Sequence, residues 1–145
     1  MIYATQSDIT TLYSEDALYV ADRDGDGVPD EAAITRALAS ASSEIDSFIG
    51  VRYTLPLASS TDLLVQFCVD IAIYRMALGR DVLSEEHRQR YDDAIKHLKE
   101  ISRGNASLNI QLGGDGEEGS TPSRPRPIVT GGPERQFTRD KMRGL

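Results

Sequence analysis

The sequence predicts an all-α fold: a small bundle of about four helices, followed by a short strand and an extended C-terminal arm. Three observations predict this fold. The segment 60–80 is apolar on more sides than a surface helix tolerates. The segments 30–49 and 84–103 each carry one apolar stripe at helical spacing, between N-cap residues and a closing glycine. The segment 107–112 alternates polar and apolar residues, as a strand does.

Composition limits the chain to one domain with a modest core and an appendage, because it has 145 residues and only 39% of them are hydrophobic. A single cysteine excludes a disulfide framework. Residues 1–119 carry 10 Lys/Arg and 21 Asp/Glu, net -11, whereas residues 120–145 carry 6 and 2, net +4. An acidic body is a poor surface for gripping DNA, although DNA could slide along it without sticking. The sequence shows no secretion, membrane-spanning or lipidation signal, which favours assembly in the cytosol.

A short first helix is predicted after Thr5. Thr5 and Asp8 have the spacing of a capping box, and Ile9, Leu12 and Tyr13 form a small apolar patch. So short a helix depends on docking against the rest of the chain. Residues 15–21 then lead into an acidic loop.

The acidic loop, residues 22–30, reads DRDGDGVPD and resembles the first nine positions of an EF-hand calcium loop. Gly27 occupies the sixth position, as in an EF-hand. The twelfth position is Ala33, where a complete EF-hand has a bidentate glutamate. A weak or partial calcium site is therefore one interpretation. Its ligands would be Asp22, Asp24, Asp26, the Val28 carbonyl and Asp30.

The same loop has a second interpretation, a tight turn that binds no metal. Gly25 and Gly27 would supply positive φ angles, Asp30 would cap the next helix, and the remaining carboxylates would be solvated. The residues alone leave both interpretations open.

The second helix is predicted over residues 30–49. Asp30 stands at the N-cap, Glu31 in the first turn, and Gly50 ends the helix. Pro56 prevents a helix in residues 51–57, which reads as an extended connection. The polar face of the second helix is small enough to lie against a neighbouring protomer, and consists of Thr35, Arg36, Ser40, Ser43 and Asp46.

The central helix, residues 60–80, is predicted to be the core of the bundle. It is not a membrane span, because Asp70 and Arg75 interrupt a run already at the short limit for crossing a bilayer. The two residues are too far apart for an i,i+4 pair, so each needs a partner on another helix or on another subunit. The latter would be a first indication of assembly.

The last helix is predicted from Ser84, its N-cap, to Gly104, its stop. His87 and His97 lie ten residues apart and lack a convincing set of partners. We therefore expect ordinary surface histidines rather than a metal or acid–base site.

Three regions follow from these patterns: a helical body, residues 1–112; a flexible linker, residues 113–127; and a docking arm, residues 128–145. The linker is built from Gly, Ser, Pro and charged residues and cannot bury enough apolar area to order itself. The arm regains apolar anchors among basic residues, which is typical of a segment that docks on a partner. Its expected partner-binding residues are Phe137, Arg139, Asp140, Met142, Arg143 and Leu145.

Five stretches together resemble one protein family: MIYATQSDI, DRDGDGVPDEA, ALASASSEIDSFIGVRYTLPL, CVDIAIYRM and FTRDKMRGL. They are similar to the head-tail connector (adaptor or head-completion) proteins of Mu-like tailed bacteriophages, and the resemblance covers the whole chain apart from the linker. It implies an α-helical protomer of a dodecameric ring in the virion neck, between the portal protein and the tail-joining proteins (stopper or tail terminator). It also implies a C-terminal segment that reaches toward the portal, DNA that passes through without specific binding, no required cofactor and no enzymatic activity.

Two other functions are alternatives to a connector ring. A calcium-binding protein-interaction module would use the acidic loop as sensor and the arm as effector. A DNA-packaging regulator would need a basic helix face, which neither amphipathic helix offers. An enzyme is disfavoured, because the sequence has no phosphate-binding loop, Cys/His cluster or serine motif with a matched histidine.

Overall fold

A computed structural model describes residues 1–108 and residue 110, which belong to a compact unit, Met1–Gly113. The all-α prediction is confirmed. Four α-helices and one 3₁₀ helix follow one another in the described residues: α1 (Gln6–Tyr13), the 3₁₀ helix (Glu15–Ala21), α2 (Glu31–Ile49), α3 (Asp62–Gly79) and α4 (Glu85–Arg103). The predicted linker and docking arm lie outside the described residues, and their boundaries stay predictions.

The short strand predicted at 107–112 is not seen. Residues 107, 108 and 110 have no regular structure, and residues 109, 111 and 112 lie outside the described part. The apolar Leu108 packs into the helical core, and its N–H donates to the hydroxyl of Tyr53 at 2.8 Å. A strand also needs a neighbouring strand to pair with, and the described residues contain none.

α3 is the core helix, as predicted. It packs against α1, the 3₁₀ helix, α2 and α4, while α2 and α4 also contact each other. Because it has neighbours on so many sides, its apolar residues are buried around most of the helix rather than along one stripe. The buried residues of α3 are Leu64, Phe67, Cys68, Val69, Asp70, Ile71, Ala72, Ile73, Met76 and Ala77.

Asp70 and Arg75, the charged residues in the interior of α3, find partners on other helices of the same chain. Tyr13 donates its hydroxyl hydrogen to an oxygen of Asp70 at 2.6 Å. Arg75 donates to the carboxylate of Glu44 at 2.6 Å, and also to the hydroxyl of Ser40. These charges are satisfied within one protomer, so they no longer indicate assembly.

The ends of α1 and α4 follow the predicted cap residues, whereas the predicted caps Asp30 and Thr61 accept no side-chain capping bond. The Asp8 carboxylate accepts from the main-chain N–H of Thr5 at 2.7 Å and from its hydroxyl at 2.8 Å. Ser84 caps α4 by accepting from the N–H of His87 at 3.2 Å. Gly104 ends α4 with a φ of 87°, in the left-handed region that favours glycine.

Candidate functional site

The acidic loop lies between the 3₁₀ helix and α2. It brings together three of the predicted calcium ligands, because Asp22, Asp24 and Asp26 each place one carboxylate oxygen within 4.8 Å of the others. Asp30 lies outside that cluster, at the N-cap of α2, where its carbonyl accepts from the N–H groups of Ala33 and Ile34. The structure thus places acidic oxygens from one half of the loop close together.

Asp22 closes the loop through bonds inside the chain. Its carboxylate accepts from the N–H of Gly25 at 2.7 Å and from the N–H of Gly27 at 3.3 Å. The guanidinium of Arg80, at the end of α3, donates to the same carboxylate at 3.4 Å and to the carbonyl of Tyr19. Burial alone would raise the pKa of the Asp22 carboxyl, but these donors and the Arg80 charge lower it below its usual value.

Both glycines have the positive φ angles that the turn interpretation predicts, 78° for Gly25 and 85° for Gly27. The Asp30 side chain, however, accepts no capping hydrogen bond. The turn can therefore form without a metal, and the calcium interpretation stays a prediction. Arg80 is a partner that sequence reasoning missed, because it is far from the loop in the chain.

A second feature is a groove of about 210 Å³ between α2 and α3, which we call the arginine groove. Three arginines from different parts of the chain line it: Arg23 follows the 3₁₀ helix, Arg36 lies on α2 and Arg75 on α3. Sequence reasoning had placed Arg36 on the outer face of α2, but no local pattern relates it to the other two arginines. The remaining lining residues, most of them apolar, are Val20, Ala33, Ala37, Ser40, Met76 and Gly79.

Cys68, His87 and His97 each make contacts within the helical body. Cys68 is fully buried, its sulfur lies 3.4 Å from the hydroxyl oxygen of Ser42, and burial raises the pKa of its thiol, which leaves it a poor nucleophile. The imidazole Nδ1 of His87 accepts from the N–H of Ser84 at 3.4 Å, in the α4 cap. The ring of His97 lies against Phe67, with 5.6 Å between ring centroids.

No helix in the described part of the chain is both long and apolar enough to cross a membrane. α3 comes nearest in composition, but its buried Asp70 and its paired Arg75 belong to contacts within the bundle.

Comparison with known proteins gives a family. A family model described as Bacteriophage Mu, Gp36 matches residues 3–125, and therefore includes most of the linker and ends before the arm. The resemblance seen in the motifs instead leaves out the linker and includes the arm.

Two curated relatives are similar to the chain. The Mu-like prophage FluMu protein gp36 of Haemophilus influenzae is 38% identical over 81 residues, 56% of each chain, so the match spans little more than half of that relative. Gene product J of Escherichia phage Mu is 30% identical over 113 residues, 77% of this chain and 79% of the relative. Because the family model covers well over half of its residues, this chain belongs to the Bacteriophage Mu, Gp36 family.

Proposed function

We propose that this chain is a structural virion protein that forms a ring at the phage neck and joins the portal of the DNA-filled head to the tail-joining proteins. The observation that carries the proposal is the family match over residues 3–125. In the proposed assembly the ring is a dodecamer, its neighbours are the portal protein and a stopper or tail terminator protein, and it is put together in the host cytoplasm.

The described body supports this role as a preformed building block. Its two buried carboxylates, Asp22 and Asp70, are hydrogen-bonded within the protomer, and Arg75 and Glu44 pair with each other. A protomer with a satisfied core can join its neighbours through surface contacts, without refolding.

The arm is the proposed link to a neighbouring protein. Linker residues 113–127 contain four Gly, three Pro and no large apolar side chain, and fifteen extended residues can reach about 50 Å. Phe137, Met142 and Leu145 gain nothing in water, so they are the proposed anchors. Arg139 and Arg143 stand four residues apart and would share one face of a helix that forms on binding. The basic residues of the arm suit an acidic partner surface, either the portal or the body of an adjacent protomer.

The acidic body suits a channel through which DNA passes without specific binding. Residues 1–119 have a net charge of -11, so we expect the channel lining to be negative or neutral and to repel the duplex weakly at physiological salt. The role requires no cofactor or enzymatic step. It agrees with a buried, unreactive thiol at Cys68 and with the structural contacts of His87 and His97.

Truncation after residue 112 tests the proposed function. The truncated chain should keep its helical circular dichroism, because the described contacts of the body lie within residues 1–110. It should fail to join heads to tails in a phage assembly assay. The matched control keeps the arm and replaces residues 113–127 by a Gly/Ser sequence of the same length, and it should support assembly. Full infectious titre from the truncated chain would contradict the proposed role of the arm.

A calcium-binding interaction module is the second candidate, favoured by the clustering of Asp22, Asp24 and Asp26. Calcium would hold the acidic loop closed, and Asp26→Ala should then lower thermal stability more in calcium than in chelator. Binding should be weak, because Ala33 stands where the bidentate glutamate belongs. Isothermal titration that gives no calcium heat with the assembled protein would leave the loop a turn closed by Asp22 and Arg80.

A further inference from the structure

The arginine groove is basic on a body that is otherwise acidic. Within residues 1–108 and 110, neither Arg23 nor Arg36 has a carboxylate oxygen within 4.0 Å, although both side chains are exposed. Arg75, the third arginine that lines the groove, is paired with Glu44, which partly screens its charge. Among the described residues, the groove therefore offers two arginines without an ion-pair partner, next to mostly apolar lining residues.

We propose that the arginine groove is one half of the contact between neighbouring protomers, and that it receives the acidic first half of α4 from a second copy of this chain. The inference rests on the proposed ring and names the surfaces that would join its subunits.

Charge complementarity identifies the acidic half of that contact. Glu85, Glu86, Asp92 and Asp93 are exposed in the first half of α4. Glu85 and Asp92 lie seven residues apart, as do Glu86 and Asp93, and Arg88 and Arg90 lie in the same stretch, so residues 85–93 carry four carboxylates and two guanidinium groups, net -2. Within the described part of the chain, Glu86 is paired with Arg90, one turn away. The other three have no cation within 4.0 Å among the described residues.

The acidic loop is a poorer occupant, although it also presents carboxylates. Arg23 belongs to that loop and also lines the groove, so the loop and the groove share one region of the surface. Two copies that exchanged loops and grooves would form a closed two-fold dimer, whereas a ring needs two different faces on each subunit. α4 is a separate element and can supply the second face.

Charge reversal in the full-length chain tests the pairing. Sedimentation velocity over a concentration series measures the concentration at half assembly. R23E/R36E should raise it roughly tenfold or more, because two attractive contacts become repulsive. The matched control K96E/K99E reverses two exposed residues of the second half of α4, changes the net charge equally, and should stay close to wild type. Circular dichroism checks folding. If R23E/R36E unfolds, R23Q/R36Q takes its place, with a smaller expected shift in the same direction.

Complementation identifies the occupant. D92R/D93R alone should also raise the concentration at half assembly. Mixing it with R23E/R36E should restore assembly, because the acidic groove of R23E/R36E then meets the basic α4 of D92R/D93R, and the basic groove of D92R/D93R meets the acidic α4 of R23E/R36E. Rescue by a loop variant, D24R/D26R, in place of D92R/D93R would overturn α4 as the occupant. If the wild-type chain assembles and R23E/R36E assembles at the same concentration, the arginine groove is not a contact between protomers, and the proposed ring is not contradicted. A wild-type chain that forms no assembly, alone or with the portal, would contradict the proposed function itself.

Discussion

Removing the hydroxyl of Tyr13 tests how the body keeps a carboxylate inside its core. In Tyr13→Phe, Asp70 loses the hydrogen bond that it accepts at 2.6 Å, while the aromatic ring can remain between α1 and α3 and below the Arg90 guanidinium, 4.3 Å from the ring centroid. Asp70 is only 8% exposed, so water cannot fully replace the lost donor. Leaving a buried acceptor without a donor costs about 1 to 3 kcal/mol. The Arg90 charge and the Gln66 amide also favour the ionised Asp70, so the expected cost lies within that range rather than above it.

The cost of Tyr13→Phe should depend on pH. Burial raises the pKa of Asp70, and the Tyr13 hydrogen bond opposes that rise, so the substitution raises the pKa further. A carboxyl whose pKa is higher in the folded than in the unfolded state destabilises the fold when ionised, and this penalty disappears as the pH falls through the folded pKa. The destabilisation should therefore be largest near neutral pH and shrink in acid.

Urea unfolding followed by circular dichroism, at about pH 7 and about pH 4.5, measures both effects. The matched control is Tyr19→Phe, since Tyr19 is 48% exposed and its hydroxyl makes no hydrogen bond within the described residues. That control should change the free energy of unfolding by less than about 0.5 kcal/mol. Equal effects of the two substitutions, or a cost of Tyr13→Phe that does not change with pH, would refute this account of Asp70.

Two further pairs of substitutions test the core packing and the end of α4. Ile71→Ala should lower the free energy of unfolding by about 2 to 5 kcal/mol through a cavity in α3, whereas Leu63→Ala, at a 41% exposed position of the same helix, should cost much less. Gly104→Ala should destabilise by about 1 kcal/mol or more in thermal unfolding, because its φ is 87° and a Cβ would meet the Arg52 guanidinium at 2.6 Å. Gly79→Ala, where a Cβ meets nothing within 4 Å, should be nearly neutral, and an equal loss at both glycines would contradict the backbone argument.

The helices of the body could be predicted from sequence because their signals are local. The cap at Ser84, the stop at Gly104 and the all-round apolarity of 60–80 each depend on residues within a few turns, and α3 and α4 begin and end close to the predicted positions. The 3₁₀ helix at Glu15–Ala21 was missed because its short stretch shows no helical period. The strand predicted at 107–112 is not seen at residues 107, 108 and 110, because alternation alone cannot show whether a partner strand exists, and the described residues contain none.

The candidate surfaces depend on contacts between distant residues. Arg80 reaches Asp22 across more than fifty positions of the chain, and the arginine groove combines three elements. Such pairings follow from helix packing, which a single sequence does not specify. The partners of Asp70 and Arg75 show the same limit: their need for partners followed from burial, but their location within the same protomer required the structure.

The most direct test of the proposed ring is a cryo-electron microscopy map of the neck of the phage particle that carries this chain. The proposal predicts a ring of helical protomers between portal and tail, each fitting the α1–α4 body, with the 128–145 segment extending from each protomer onto a neighbouring protein. A neck whose density contains no copy of this fold would contradict it.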